Sequence, residues 1–115
     1  MPPQPEPENP AEIRILVTSF AKEEHAADVV RSLVRERLVA CGSLLRGARS
    51  IYAWEGNLED TEEVVVLLKT TTAAANRAAD RLKTLHPYDV PEVVGLRMED
   101  VSGAYGRWIM AEVGA

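Results

Sequence analysis

The chain has 115 residues, of which 46% are hydrophobic, enough for one domain with a buried core but not for two. Its formal net charge is −5 and its 13 lysines and arginines are spread along the sequence, which excludes a typical nucleic-acid-binding surface. The single cysteine, Cys41, excludes a disulfide within the chain and is typical of a reducing compartment. Because no apolar run approaches the roughly twenty residues of a membrane span, we predict a cytoplasmic protein with no membrane partner.

Residues 1–11 contain five of the seven prolines and have neither the basic start nor the apolar core of a signal peptide. They are predicted to form a disordered, Pro-rich tail, followed by one domain over residues 12–115. The run from Ile13 to Ser19 predicts a first strand, with Ser19 placed to cap the next helix. From Lys22 to Leu38 apolar residues recur at helical spacing, and Gly42 is expected to stop this helix.

The stretch from Ser50 to Thr72 is typical of a long β-hairpin. Its arms, Ile51–Trp54 and Val64–Leu68, are rich in β-branched and aromatic residues, and Gly56-Asn57 between them suits a tight turn. The acidic run over residues 59–63 is poor strand material and is interpreted as a solvated turn. Arms of this length would leave an exposed edge that invites pairing with another chain, so the pattern favours an oligomer.

The remaining elements follow in order along the chain. Thr72 is placed to cap a second helix that runs to Leu85, and Pro87 ends it. A strand over Val93–Met98 precedes a short helix from Ser102, which carries Tyr105, Trp108 and Ile109 on one side. The order predicts an α+β, ferredoxin-like split βαβ sandwich, βαββαβ plus a C-terminal helix, with a four-stranded antiparallel sheet and two helices on one face.

Three segments, LVRERLVACGSL, SIYAWEGNLEDTEEVVVLLKTT and HPYDVPEVVGL, are followed by Tyr105 and Trp108. Together and in this order they resemble the CutA family of divalent-cation tolerance proteins, over about residues 13–113. The sequence departs from the family pattern at Gly42-Ser43, where Val-Asn is common, and at Arg97, where proline is common. The resemblance implies a PII-like homotrimer whose hairpins extend sheets across subunits. It also implies copper or another divalent cation as ligand, with no obligatory cofactor.

The family's motif positions imply a ligand cleft between subunits, lined by Trp54, Glu63, Lys69, His86, Tyr88, Glu92 and Trp108. Each position has a second interpretation. Glu63 and Lys69 lie roughly 20 Å apart on one strand face and equally suit an ion pair with another subunit. His86 also suits a helix-end cap and Tyr88 a packed ring with a bonded hydroxyl. The aromatic residues Trp54, Tyr105 and Trp108 also suit core or interface packing.

Metal-ligand candidates are His86, Glu92 and Cys41, since soft and borderline ions prefer thiolate and imidazole. His25 and Cys41 are placed roughly 24 Å apart along the first predicted helix and cannot share one ion within a chain. Cys41 also suits a small buried hydrophobe. A site would therefore combine His86 with Glu92, or take ligands from neighbouring subunits, and bind weakly.

The chain contains no Gly-rich phosphate loop, no nucleophile motif, no HExxH and no paired CxxC, so we predict that it is not an enzyme. Two hypotheses remain. In the first, a homotrimer binds metal or a small molecule at clefts between subunits. In the second, a structural or signalling trimer presents its surface to a protein partner and has no physiological role in metal handling.

Overall fold

The computed structural model describes residues 12–114, and the predicted tail of residues 1–11 lies outside the described residues. The elements in chain order are β1 (Ile13–Phe20), α1 (Glu23–Arg35), β2 (Cys41–Trp54), β3 (Asn57–Thr71), α2 (Thr72–Leu85), β4 (Val94–Arg97) and α3 (Gly103–Glu112). This order is the predicted ferredoxin-like βαββαβ arrangement with a C-terminal helix. Within residues 12–114, no helix has the length and apolar character that crossing a membrane requires.

The sheet has the strand order β2-β3-β1-β4, and every neighbouring pair is antiparallel. One face of the two central strands packs on α1 and α2. The buried core shared by these elements is formed by Leu16, Phe20, Ala26, Val29, Leu33, Val64, Val66, Leu68, Ala78 and Leu82. The small alanines of α2 let this helix approach the strands closely, as its narrow apolar stripe predicts.

The hairpin of β2 and β3 is longer and tighter than predicted. Trp54 pairs with Asn57, so the turn residues are Glu55 and Gly56, with φ of 49° and 81°, and not Gly56-Asn57. Two consecutive positive φ values match the type I′ turn that suits the twist of paired strands. The acidic residues 59–63 belong to β3 and not to a turn, and Arg49 on β2 binds the Asp60 carboxylate with both Nε and Nη2, at 2.8 and 2.7 Å.

The first helix ends earlier than its apolar pattern predicts. Arg37, with φ of 58°, turns the chain, and its guanidinium donates to the carbonyls of Ala111 and Glu112 at 2.9 and 3.1 Å. These bonds hold a non-glycine residue in a left-handed conformation that usually favours glycine. The predicted stop at Gly42 is therefore wrong, and Gly42 lies within β2.

Neither of the two residues predicted to cap a helix occupies the N-cap position of that helix. Ser19 lies within β1, and the residue before α1 is Lys22, which makes no capping bond with its side chain. At α2 the capping hydroxyl belongs to Thr71, whose Oγ1 accepts from the Ala74 N–H at 3.1 Å, and not to Thr72. The last strand is shorter than predicted, Val94–Arg97 instead of Val93–Met98.

The second face of the sheet is apolar and largely open. Side chains alternate between the faces of a strand, so the partners Ile15 and Leu96 share this second face. Leu45 and Leu96 are 48% and 43% exposed on it, although both are large and hydrophobic. Helix α3 reaches one end of the face, where the ring of Tyr105 lies 5.8 Å from Lys69 Nζ. The open part is a surface that a single described chain does not bury.

Candidate functional site

A groove of about 930 Å³ lies between the hairpin and the segment that follows α2. Its lining residues are Ser19, Ser50, Ile51, Tyr52, Trp54, Glu63, Val65, Tyr88, Asp89, Val90, Pro91 and Glu92. Every charged residue among them is acidic, and three of them are aromatic. The volume lies within the range of about 300 to 1,000 Å³ that is usual for small-molecule sites.

Glu63 is the least exposed acidic residue of this groove. It lies on β3 one residue before the first pairing of that strand with β1, Val64 with Phe20, and is only 8% exposed. Its side chain forms no ion pair and no hydrogen bond with any other residue in the described part of the chain. A largely buried acidic residue without an ion-pair partner favours occupation of this position by a positive group.

His86 lies behind the groove wall and is only 7% exposed. Its Nδ1 accepts from the Tyr88 backbone N–H at 3.1 Å, which places the proton on Nε2, and Nε2 donates to the Ser19 carbonyl at 2.7 Å. Burial lowers the pKa of His86, although the Ser19 carbonyl and the Glu63 charge oppose that shift. Both ring nitrogens are bonded within the chain, so binding a metal together with Glu92 would require one of these bonds to break, and that role of His86 stays a prediction.

Tyr88 contacts the His86 ring and also lines the groove. Its ring lies 4.7 Å from the His86 ring, tilted by 55°. Burial raises the pKa of the Tyr88 phenol, and the negative charge of Glu63 raises it further, as does Tyr52. A groove that disfavours an additional negative charge is suited to a cation.

A second cluster lies where α3 meets the open face of the sheet. The Tyr105 hydroxyl lies 3.8 Å from Cys41 Sγ, and the Tyr105 ring stacks on Trp108 with centroids 5.6 Å apart. Lys69 Nζ donates to Ser43 Oγ at 3.5 Å. Burial opposes the charge on Lys69, but hydrogen bonding to Tyr105 and the nearby Cys41 outweigh it and raise the lysine pKa.

The seven predicted cleft residues therefore fall into two places within one chain. Trp54, Glu63, Tyr88 and Glu92 line the groove, with His86 buried behind it. Lys69 and Trp108 belong to the second cluster, which does not contribute to the groove lining. A cleft that combines both clusters requires a second subunit and stays a prediction.

Metal binding by a single chain has no support in the geometry. Among residues 12–114, no three side chains of His, Cys, Asp or Glu come together in a way that would hold an ion. Cys41, the third predicted ligand, is half-buried at the start of β2 and contacts a tyrosine hydroxyl. Any metal shell would need ligands from outside the described chain.

The sequence interpretation missed two groove residues of chemical interest. Tyr52 and Trp54 both belong to β2 and are two residues apart, so their rings project from the same face of this strand. Asp89 lies between the predicted residues Tyr88 and Glu92. Strand alternation was the available signal for Tyr52, while Asp89 lies in an irregular segment without periodicity.

Comparison with known proteins gives one consistent family. The family model described as CutA1 divalent ion tolerance protein matches residues 14–112. The divalent-cation tolerance protein CutA of Pyrococcus horikoshii is 41% identical over 98 residues, which cover 85% of this chain and 95% of that protein. The Thermus thermophilus protein is 37% identical over 100 residues, covering 87% and 97%. The crystal structure of CutA from Xylella fastidiosa has a TM-score of 0.87 at 35% identity, covering 90% and 99%.

Proposed function

The chain belongs to the CutA1 divalent ion tolerance protein family, and from this premise we propose that it acts as a homotrimer that binds a small cation in the acidic groove. The cation is copper, another divalent metal or a small organic cation. All three carry the positive charge that the acidic lining of the groove attracts. The proposal includes no catalytic step, and it keeps the cytoplasmic location that the sequence predicts.

The observation that carries the proposal is the unpaired carboxylate of Glu63. Glu63 as a whole residue is 8% exposed and has no ion-pair partner among residues 12–114, so a cation bound in the groove would add an attraction that this charge otherwise lacks. Asp89 and Glu92 add negative charge along the same groove. Trp54 and Tyr88 present aromatic rings, whose faces attract organic cations.

The trimer is supported by two surfaces that one chain leaves uncovered. The first is the apolar open face, with Leu45 and Leu96 exposed. The second is the distal half of the hairpin, since β1 pairs with β3 only from Val64 to Thr71 and residues 57–63 pair only with β2. A closed cyclic assembly would bury both kinds of surface without open-ended growth.

A divalent metal in this groove would bind through oxygen ligands. The imidazole of His86 is engaged on both nitrogens, which leaves the carboxylates of Glu63, Asp89 and Glu92 as donors. Because these do not form a three-ligand group within one chain, a metal would need water or a neighbouring subunit to complete its shell. The proposal therefore predicts weak metal binding that depends on assembly.

Light scattering tests the assembly. The wild-type protein should have three times the chain mass of 12.6 kDa. Leu96→Asp, which places a charge on the open face, should reduce that mass. Val34→Asp, at a position of α1 that is 38% exposed, is the matched control and should leave it unchanged. A wild-type monomer would contradict the trimer.

Calorimetry with Cu(II) and, separately, with choline tests the groove. Glu63→Gln should abolish binding of either probe, because it removes the buried charge while keeping the side-chain shape. Trp54→Ala should weaken choline only, and Cys41→Ser should change neither. Binding that survives Glu63→Gln would contradict the site. Absence of binding by both probes would favour the second hypothesis, a trimer that presents its surface to a protein partner.

A further inference from the structure

A second cavity, separate from the groove, lies between α2 and the edge of the sheet formed by β1 and β4. Its volume is about 420 Å³, and its lining residues are Arg14, Leu16, Thr72, Ala75, Asn76, Ala79, Lys83, Val93, Gly95 and Arg97. Every charged residue among them is basic. This is the opposite of the acidic groove, and it occurs in a chain with a net charge of −5.

The cavity exists because small residues form its floor. Ala75 and Ala79 lie on the face of α2 that turns toward the sheet, and Gly95 of β4 lies opposite, next to Leu16. Asn76 and Lys83 are seven residues apart, two turns of the same helix, so their side chains follow one face. The result is a space with apolar walls and polar groups at its border.

The two arginines occupy a position that costs stability. Arg14 of β1 and Arg97 of β4 are direct cross-strand partners, so they project from the same face at neighbouring positions. Like charges placed directly opposite each other in a sheet repel. Neither arginine, nor Lys83, makes an ion pair or a side-chain hydrogen bond with another residue in the described range 12–114. Four other arginines of the chain, Arg31, Arg46, Arg49 and Arg81, all bind carboxylates.

We propose that Arg14, Lys83 and Arg97 form a binding site for a phosphate-bearing small molecule. A phosphate group carries nearly two negative charges at neutral pH and three acceptor oxygens, which suits two arginine forks and a lysine better than one carboxylate does. The amide of Asn76 adds a donor at the border of the cavity. The volume exceeds the need of an inorganic ion and leaves room for the group attached to the phosphate.

This site is independent of the proposed cation groove, because the two cavities share no lining residue. Replacing Arg97 by an uncharged residue would leave Arg14 and Lys83 as the only charged residues that line this cavity, and it would remove the cross-strand arginine pair.

Calorimetry and thermal unfolding of the full chain with pyrophosphate, a simple phosphate monoester and acetate test the proposal, at constant ionic strength. Pyrophosphate and the monoester should bind and raise the unfolding midpoint, and acetate should not. Arg14→Gln and Arg97→Gln should each weaken phosphate binding at least fivefold. The matched control is Arg77→Gln, on α2 but not among the lining residues of the cavity, whose guanidinium donates to the Ala73 carbonyl and to no other group among residues 12–114. It should remain within twofold of the wild type.

The unfolding midpoint without any anion separates binding from structure. If the arginines serve a ligand, Arg97→Gln relieves repulsion and unfolds at or above the wild-type temperature. If Arg97 stabilises the fold directly, this variant unfolds at a lower temperature, and the proposal fails. It also fails if neither phosphate compound binds the wild type, or if Arg77→Gln weakens binding as much as Arg97→Gln, since that result would show only a general effect of charge.

Discussion

The imidazole of His86 stacks on the phenyl ring of Phe20, with ring centroids 4.2 Å apart and planes inclined by 16°. The same imidazole bonds the Ser19 carbonyl and the Tyr88 backbone N–H. It thereby ties the end of α2 to the end of β1 and fixes the direction in which the chain leaves toward the groove. The side chain that the sequence presented as a metal ligand therefore holds the groove wall in place.

This arrangement predicts a loss of stability in acid. Burial lowers the pKa of His86 in the folded protein, whereas in the unfolded chain a histidine titrates near about 6.5. The unfolded state thus binds more protons, so the free energy of unfolding is at its full value above pH 6.5 or so and falls as the pH drops below it. Urea unfolding between pH 5 and 8, at fixed protein concentration, should show this fall in the wild type and much less of it in His86→Gln.

His25 provides the matched control for that experiment, because it is the other histidine of the chain and lies exposed on α1. His25→Gln should keep the pH dependence of the wild type. If His86→Gln keeps it as well, another group is responsible and the assignment to His86 is wrong.

Gly42 predicts a coupled pair of substitutions. A Cβ at this position would lie 2.7 Å from Val30 Cγ1 and 3.0 Å from Leu68 Cδ2, closer than side chains tolerate. Gly42→Ala should therefore lower the free energy of unfolding by about 1 to 3 kcal/mol, the usual cost of overpacking. The double variant with Val30→Ala should lose less than the sum of the two single variants, because the truncation removes the clash.

Gly95→Ala is the control for this pair, since a Cβ there would lie at an ordinary contact distance of 3.7 Å from Leu16. Urea unfolding of the four variants should rank Gly42→Ala well below Gly95→Ala. Equal stabilities would show that the Val30 side chain moves aside at little cost.

The capping residue of α2 gives a third prediction. Thr71 Oγ1 accepts from the Ala74 N–H, so Thr71→Ser should keep most of the stability and Thr71→Ala should lose about 1 kcal/mol. Thr84→Ala is the control, because its hydroxyl bonds a carbonyl within the helix and caps no end. Thermal unfolding should separate Thr71→Ala from Thr84→Ala, and identical midpoints would contradict the cap.

The fold was predictable because periodicity and burial agree in most elements. The apolar spacing of residues 22–38 and 72–85 predicted two helices on one face of a sheet, and the richness of both arms in β-branched and aromatic residues predicted the hairpin. Boundaries failed where a contact between residues distant in the sequence outweighed the pattern. Arg37 ends α1 through its bonds to the carbonyls of Ala111 and Glu112, more than seventy residues away, and no local signal reports such a contact.

The site was predictable only in part for a related reason. Trp54, Glu63, Tyr88 and Glu92 line one groove, but the family motif gives positions along the chain and not their distances within one subunit. Lys69 is in a different place because it lies six positions farther along β3 than Glu63. The basic cavity could not be predicted from the sequence, because Arg14 and Arg97 are 83 positions apart and become neighbours through the pairing register of β1 with β4.

The hairpin turn carries the last prediction. Glu55 has φ of 49°, a left-handed conformation that costs most residues about 1 to 2 kcal/mol and that asparagine adopts more readily. Glu55→Asn creates the Asn-Gly pair preferred in type I′ turns and should raise the free energy of unfolding by up to about 1 kcal/mol. Glu55→Gln removes the same charge but keeps the strained backbone, so it should show little gain. Gly56→Ala, at φ of 81°, should destabilise. If Glu55→Gln stabilises as much as Glu55→Asn in urea unfolding, the gain comes from charge and not from the backbone.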